Sequence, residues 1–128
     1  MKIKTLLCNC QRLSDSLKDA DMNTLPFEVE SALNVDYAIV HPDLCGPGGK
    51  EILADVLRAA EDDPDTYIIV GGCAPEVQRK LFKKTLADEG FNEARFVPVD
   101  IRGTTNQGIL ERLREKVEAL VKPQKKQH

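Results

Sequence analysis

The stretch Thr66-Tyr67-Ile68-Ile69-Val70-Gly71-Gly72-Cys73-Ala74-Pro75 has the pattern of a strand, a turn and the start of a helix. Its apolar run, from Tyr67 to Val70, is typical of a strand that is covered on both faces. Two glycines then permit tight backbone geometry, and Pro75 fits the first turn of a helix, where its missing N–H group is not needed. The stretch therefore predicts that Cys73 lies at the carboxyl end of a central strand, where open α/β sheets bind their ligands.

Short apolar runs alternate with helical stripes along most of the chain. The predicted strands are 3–7, 37–40, 67–70 and 95–99. Pro98 indicates an edge position for the last strand, because proline cannot donate to a central ladder. Apolar residues at helical spacing predict helices over 52–60, 77–86 and 109–121, and Gly90 is expected to close the middle one. This alternation predicts a single-domain, three-layer α/β/α fold with a mainly parallel, Rossmann-like sheet.

The remaining segments carry local predictions. Ser14 is expected to cap a short helix, Pro26 to interrupt the segment after it, and the alternating stretch 27–30 to form a short edge strand. Thr104 and Gln107 have capping-box spacing at the start of the final helix. We expect one domain over 1–122 and a disordered tail over 123–128.

Composition excludes several classes of function. Of the 128 residues, 41% are hydrophobic and 30% are charged, as in an ordinary globular domain. A formal net charge of −3 gives no electrostatic reason to expect nucleic acid. The apolar stretch near the amino terminus is too short for a signal peptide, and no run approaches the roughly 20 residues that span a bilayer. We therefore expect a cytoplasmic protein with no membrane partner.

All four cysteines of the chain follow predicted strands; they are Cys8, Cys10, Cys45 and Cys73. Because the carboxyl ends of parallel strands share one edge of a sheet, three separate loops can bring their sulfurs together. In a reducing compartment, such cysteines indicate metal binding, catalysis or simple filling of the core. Soft thiolate ligands favour zinc or an iron–sulfur cluster. The sequence predicts a metal or cluster site at this edge.

Glycines and one arginine accompany the cysteines. Small residues let the backbone approach a bulky group and direct N–H groups at it, so Gly46, Gly48 and Gly72 are candidates for cofactor binding. Arg102 is a further candidate because it lies in the segment 100–102 at a strand end. Two roles are open for it: an ion pair with Asp100, or an offset to the negative charge of a thiolate-bound cluster.

A competing interpretation concerns the segment from Cys73 to Arg79, which satisfies the C-x5-R pattern of cysteine phosphatases. That chemistry needs a reactive thiolate at a helix N-terminus and a cradle of N–H groups around the phosphate. Pro75 removes one donor from this cradle, and Glu76 adds a negative charge beside the phosphate. The phosphatase is therefore an alternative hypothesis rather than the leading one.

Several motifs together resemble the amino-terminal domain of the flavin-binding subunit of heterodisulfide reductase. They are Leu7-Cys8-Asn9-Cys10, the segment 44–52, Cys73-Ala74-Pro75, Leu81-Phe82, Gly90-Phe91-Asn92 and Asp100-Ile101-Arg102, in the family's order. The resemblance covers most of the chain apart from 11–36. It implies one [4Fe–4S] cluster whose ligands are Cys8, Cys10, Cys45 and Cys73.

The chain also departs from that family. Gln11 replaces a glycine, Gln78 replaces a histidine, and Gly103 replaces a glutamate. These 128 residues contain neither a flavin portion nor a Gly-rich dinucleotide fingerprint. The expected role is therefore a non-catalytic electron-transfer subunit whose partners are the flavoprotein or iron–sulfur subunits of a heterodisulfide-reductase-like complex. The alternative is a zinc-bound or metal-free cysteine module for docking or assembly.

Overall fold

The fold was obtained as a computed structural model that describes residues 2–9, 17–60 and 63–126, with only the main chain for 122–126. The strands are β1 (Lys2–Cys8), β2 (Tyr37–His41), β3 (Thr66–Gly72) and β4 (Phe96–Asp100). The helices are α1 (Leu25–Ala32), α2 (Pro47–Ala59), α3 (Pro75–Asp88) and α4 (Asn106–Lys126), with a short 3-10 turn over Glu93–Arg95.

The four strands form one parallel sheet in the order β2-β1-β3-β4. The predicted α/β/α fold with a Rossmann-like parallel sheet is confirmed. β4 lies at one edge, as Pro98 predicts, and Gly90 adopts a φ of 64° directly after α3. The central strands are continuous apolar runs because helices cover both of their faces.

The two faces of the sheet have separate cores. On one face, β-strand residues such as Leu7 and Ile69 pack with residues of α1 and α4. On the other face, residues such as Leu6 and Ile68 pack with residues of α2 and α3. Successive side chains of a strand point to opposite faces, so Leu7 belongs to the α1/α4 face and the next residue belongs to the α2/α3 face.

The prediction of a short edge strand over 27–30 is wrong, because these residues belong to α1. Pro26 lies in the first turn of this helix, where a missing N–H group costs no hydrogen bond, so it begins the helix instead of interrupting a segment. The alternation arises because Val29 is buried while Phe27 remains 69% exposed. The Ser14 cap falls outside the described residues.

The start of α4 also differs from the prediction. The Thr105 hydroxyl, and not that of Thr104, accepts a hydrogen bond from the Gly108 N–H group (3.3 Å). The cap therefore lies one residue later than the Thr104–Gln107 spacing indicates. The helix continues to Lys126, into the segment expected to be a tail.

Asn106, the first residue of α4, links this helix to the start of α1 through hydrogen bonds. Its side-chain amide donates to the Asp21 carbonyl (3.1 Å) and to the Glu28 carboxylate (2.6 Å). Its side-chain oxygen accepts from the N–H group of Asp21 (2.8 Å), a residue 85 positions earlier in the chain. These bonds fix the start of α1 against the start of α4.

Candidate functional site

The carboxyl edge of the sheet contains a topological switch point between β1 and β3. These two strands are neighbours, but the chain leaves β1 toward β2 and leaves β3 toward β4. The loops that follow the two strands therefore diverge, and a crevice opens between them, which is where open α/β sheets bind ligands.

A cavity of about 280 Å³ lies at this crevice on the α2/α3 face of the sheet. Its walls come from the ends of β1 and β3, from the loop before α2, and from the first turns of α3. The residues that line it are Cys8, Asp43, Leu44, Cys45, Val70, Gly72, Cys73, Gln78, Leu81 and Phe82. Three of the four predicted cysteines therefore meet at one cavity, which we call the cysteine cavity.

Cys8 is the last residue of β1 and forms the floor of the cysteine cavity. Its side chain is buried and faces α2 and α3 because Leu7, one residue earlier, faces the opposite side. Gly72 ends the adjacent strand β3, and a Cβ atom placed there would lie 3.6 Å from the Cys8 Cβ atom. Gly72 thus lines the cavity beside Cys8, and its role in cofactor binding stays a prediction.

Cys45 lies in the loop between β2 and α2, at the exposed rim of the cavity. Its thiol donates a hydrogen bond to the Asp43 carboxylate, with an Sγ–Oδ1 distance of 3.1 Å. This hydrogen bond is the main cause that raises the pKa of the Cys45 thiol to about 11, and partial burial and the negative charge of Asp43 add to the effect. Cys45 is therefore a protonated thiol at neutral pH in this structure.

Cys73 follows β3 and precedes α3, as predicted, and its side chain is half-buried. The Gln78 side chain fixes the main chain of this turn: its Nε2 atom donates to the carbonyl oxygen of Cys73 (2.8 Å) and to that of Val99 (3.1 Å). The Gln78 Oε1 atom is buried and has no hydrogen-bond partner among the described residues. Gln78 thus connects the Cys73 turn to both α3 and β4.

The other two predicted glycines, Gly46 and Gly48, are not among the residues that line the cysteine cavity. A Cβ atom at Gly46 would meet the Asp43 side chain, whereas one at Gly48 would meet nothing within 4 Å. Gly49 is the glycine that packs most closely against the loop, because a Cβ atom placed there would collide with the backbone of Asp43 and Leu44. The loop glycines therefore let α2 begin tightly against its own loop.

Arg102 pairs with Asp100, which is one of the two roles that the sequence left open for it. Its guanidinium donates to both carboxylate oxygens, at 3.0 and 2.9 Å, and this pairing holds the pKa of Asp100 below its usual value. Arg102 lines a separate cavity of about 340 Å³, together with residues such as Pro75 and Arg112.

Sequence reasoning missed Gln78, although the sequence contains a signal for it. Positions 78, 82 and 86 recur at helical spacing, and all three are buried on the inner face of α3. The predicted stripe contains Val77 instead, which is 44% exposed, while Gln78 is only 2% exposed. A polar residue within an otherwise apolar stripe is the sign that a buried polar group has partners in the core.

The donor set of the cysteine cavity fits a thiophilic group in kind. Three thiols and mostly apolar walls match the soft ligands and the low polarity that iron–sulfur clusters use. Within 2–9, 17–60 and 63–126, no three His, Cys, Asp or Glu residues are arranged to hold a metal ion. Cys10 lies outside the described residues, so the four-cysteine ligand set stays a prediction.

No protein-family model matches this chain, and no curated protein matches it significantly. The resemblance to heterodisulfide reductase thus depends on its motifs alone. None of the described helices is both long enough and apolar enough to cross a membrane. The phosphatase pattern receives little support from the geometry, because Arg79 is exposed on α3 and does not line the cavity that Cys73 lines.

Proposed function

We propose that this protein is an iron–sulfur electron-transfer module that binds one [4Fe–4S] cluster through Cys8, Cys10, Cys45 and Cys73. The observation that carries the proposal is the meeting of Cys8, Cys45 and Cys73 at one cavity. These residues come from three separate segments of the chain and reach the switch point of a parallel sheet. Filling of a core with small residues would not require three cysteines to line the same space.

Two helix N-termini support this proposal. α2 begins two residues after Cys45 and α3 begins two residues after Cys73, and neither N-cap residue, Gly46 or Ala74, caps its helix with a side chain. The first N–H groups of a helix lack intrahelical partners and carry a partial positive charge. Cys45 and Cys73 would lie within two residues of these positive helix ends as thiolates, and this placement would favour the negative charge that ligation requires.

When bound, the cluster would supply one-electron transfer at a potential set by its ligands, its hydrogen bonds and its exposure. The residues of the chain provide ligation, burial and orientation, and no bond between substrate atoms is made or broken. Leu44, Leu81 and Phe82 give the cavity part of its apolar walls. The exposed Cys45 places the other side near the surface, where the flavoprotein or iron–sulfur subunit of a heterodisulfide-reductase-like complex would exchange the electron.

Ligation by Cys45 requires one local change. In this structure the Cys45 thiol is protonated and donates a hydrogen bond to Asp43, whereas a ligand to iron must be a thiolate. Ligation by Cys45 would therefore require the loss of this proton and of the Cys45–Asp43 hydrogen bond.

The test is the iron and acid-labile sulfide content of protein purified and reconstituted without oxygen, with absorption spectra before and after dithionite. We expect about four iron and four sulfide per chain and a visible band that bleaches on reduction. Replacement of any of the four cysteines by serine should abolish or strongly reduce this band. Arg79→Ala is the matched control, because it removes the residue that a phosphatase needs and should leave the cluster intact.

Other metal contents would contradict the proposal in distinct ways. One zinc per chain without sulfide would favour the zinc-bound docking module. A chain that binds neither metal nor sulfide, but hydrolyses an aryl phosphate in a manner lost in both Cys73→Ser and Arg79→Ala, would be a phosphatase.

A further inference from the structure

We infer that Gln78 is a positioning residue for Cys73. It acts through the main chain, by holding the turn that carries the Cys73 thiol at the cysteine cavity. Its importance for ligation rests on the proposed function, in which Cys73 binds the cluster. Its effect on the orientation of Cys73 does not rest on that proposal and can be measured without any metal.

The hydrogen-bond partners of Gln78 determine which end of its amide faces the turn. The two atoms that Nε2 contacts are both main-chain carbonyl oxygens, of Cys73 and Val99, and carbonyl oxygens only accept hydrogen bonds. The NH₂ end of Gln78 must therefore face them, and a flipped amide would place oxygen against oxygen. The orientation of the side chain is thus fixed by its partners.

This orientation of the Gln78 amide has a cost. Fixing the NH₂ end leaves Oε1 buried and unpaired among the described residues, although buried polar atoms normally have partners. An apolar side chain would avoid the unpaired oxygen, but it would remove the donor that both carbonyls share. Among the buried polar residues of the described chain, which also include Thr5 and Thr66, only Gln78 lines the cavity.

The two hydrogen bonds of Gln78 hold separate segments together. Cys73 lies between β3 and α3, and Val99 lies in the edge strand β4. Another bond, from the Ile101 N–H group to the Gly72 carbonyl (3.1 Å), ties the same two segments one residue earlier. The hydrogen bonds of Gln78 add a second link at Cys73, the first residue after β3. They hold this first residue of the turn against the sheet.

The test compares Gln78→Met with Leu81→Met, which introduces the same side chain at another residue lining the same cavity. The cluster-free proteins are treated with iodoacetamide under reducing, oxygen-free conditions, and the alkylation rate at each cysteine is followed by mass spectrometry. In Gln78→Met, Cys73 should react roughly fivefold faster, the factor that corresponds to one lost hydrogen bond. Cys8 and Cys45, and all three cysteines in Leu81→Met, should change by less than about twofold.

Two results would overturn the inference. An unchanged rate at Cys73 would show that the amide does not hold the turn, and an equal rise at Cys8, Cys45 and Cys73 would show general loosening of the domain. If Gln78→Met does not fold, the alkylation rates of Gln78→Asn are compared in the same way. Asparagine keeps the amide, but its side chain is shorter. After reconstitution, Gln78→Met should also retain less iron than Leu81→Met. Absence of iron in the unsubstituted protein would refute the proposed function and leave the alkylation result decisive for Gln78.

Discussion

The two faces of the sheet differ in how closely side chains pack at the ends of β1 and β3. On the α1/α4 face, Leu7 and Ile101 cover Gly71 so closely that a Cβ atom there would lie 2.9 Å from both side chains. On the α2/α3 face, the next residues along the same strands are Cys8 and Gly72, and a cavity of about 280 Å³ lies over them. The α1/α4 face is thus tightly packed at Leu7 and Gly71. The α2/α3 face has a cavity at Cys8 and Gly72, which lie only one residue further along the same strands.

This difference shows how a site is made in a parallel sheet without disturbing its core. The β1–β3 register pairs Leu7 with Gly71, so the two residues that come next also lie side by side. Alternation of side chains then assigns each pair to one face. The fold can hold large residues on the α1/α4 face for stability while small residues on the α2/α3 face leave room for a ligand.

The largest expected effect comes from comparing Leu7→Ala with Cys8→Ala in the cluster-free protein. Leu7 is fully buried, and its truncation should lower the free energy of unfolding by about 2–5 kcal/mol. Cys8→Ala removes one sulfur atom from the wall of an existing cavity and should cost less than about 1.5 kcal/mol. Urea denaturation under reducing conditions measures both values. Equal losses would mean that the two faces are packed alike.

The two glycines allow a finer comparison. In Gly71→Ala the new methyl group would meet Leu7 and Ile101 at 2.9 Å, and the overlap should cost about 1–3 kcal/mol. In Gly72→Ala it would lie 3.6 to 3.9 Å from Cys8 and Gln78, an ordinary contact, and stability should change by less than about 0.5 kcal/mol. The urea denaturation used for Leu7→Ala measures the change in the free energy of unfolding for both variants.

The same variants separate stability from ligand binding. Gly72→Ala narrows the space beside the Cys8 sulfur and should lower iron incorporation although the fold is intact. A stable Gly72→Ala protein with full iron content would show that this part of the cavity is not used.

The smallest expected effect concerns the charged end of β4, where Arg102 holds the pKa of Asp100 below its usual 3.8. The depressed pKa means that the ionised carboxylate stabilises the folded state above the usual pKa, and that this contribution is lost as the pH falls through the lower, folded-state pKa. Since both side chains are about a third exposed or more (40% and 35%), solvent limits the contribution to less than about 1 kcal/mol.

The check is a urea titration of Asp100→Asn at neutral and acidic pH. The variant should be slightly less stable than the unsubstituted protein at neutral pH, and the difference should disappear once the pH is well below the usual pKa of an aspartate. A difference that is the same at both pH values would mean that the loss arises from packing or from the hydrogen bond to the Arg102 N–H group rather than from charge.

Much of the fold was predictable because buried parallel strands are continuous apolar runs that differ clearly from helical stripes. The meeting of Cys8, Cys45 and Cys73 was predictable for the same reason, since parallel topology brings strand ends to one edge. The alternation around Phe27 was misleading because a helix with one buried and one exposed apolar residue resembles a short strand over four positions. The capping residue was displaced to Thr105 because two adjacent threonines offer equivalent hydroxyls.

The burial of Gln78 could be predicted from its place in the stripe with Phe82 and Leu86, but its hydrogen-bond partners could not, because they lie in a turn and on β4 and depend on the rotamer of one side chain. The pairing of Arg102 with Asp100 was one of two open interpretations, and only the distances between their side-chain atoms decide it. Sequence patterns thus located the site, whereas the hydrogen bonds that shape it required coordinates.

The contacts of Asn106 with the start of α1 have a consequence for synthesis of the chain on the ribosome. The start of α1 is fixed by a residue that is translated 85 positions after Asp21, so the α1/α4 face cannot be completed until the last helix emerges. The described residues that line the cysteine cavity extend no further along the chain than Phe82, so all of them have been translated by then. Because a domain folds as a unit, the cavity walls become stable only once the last helix has joined the opposite face.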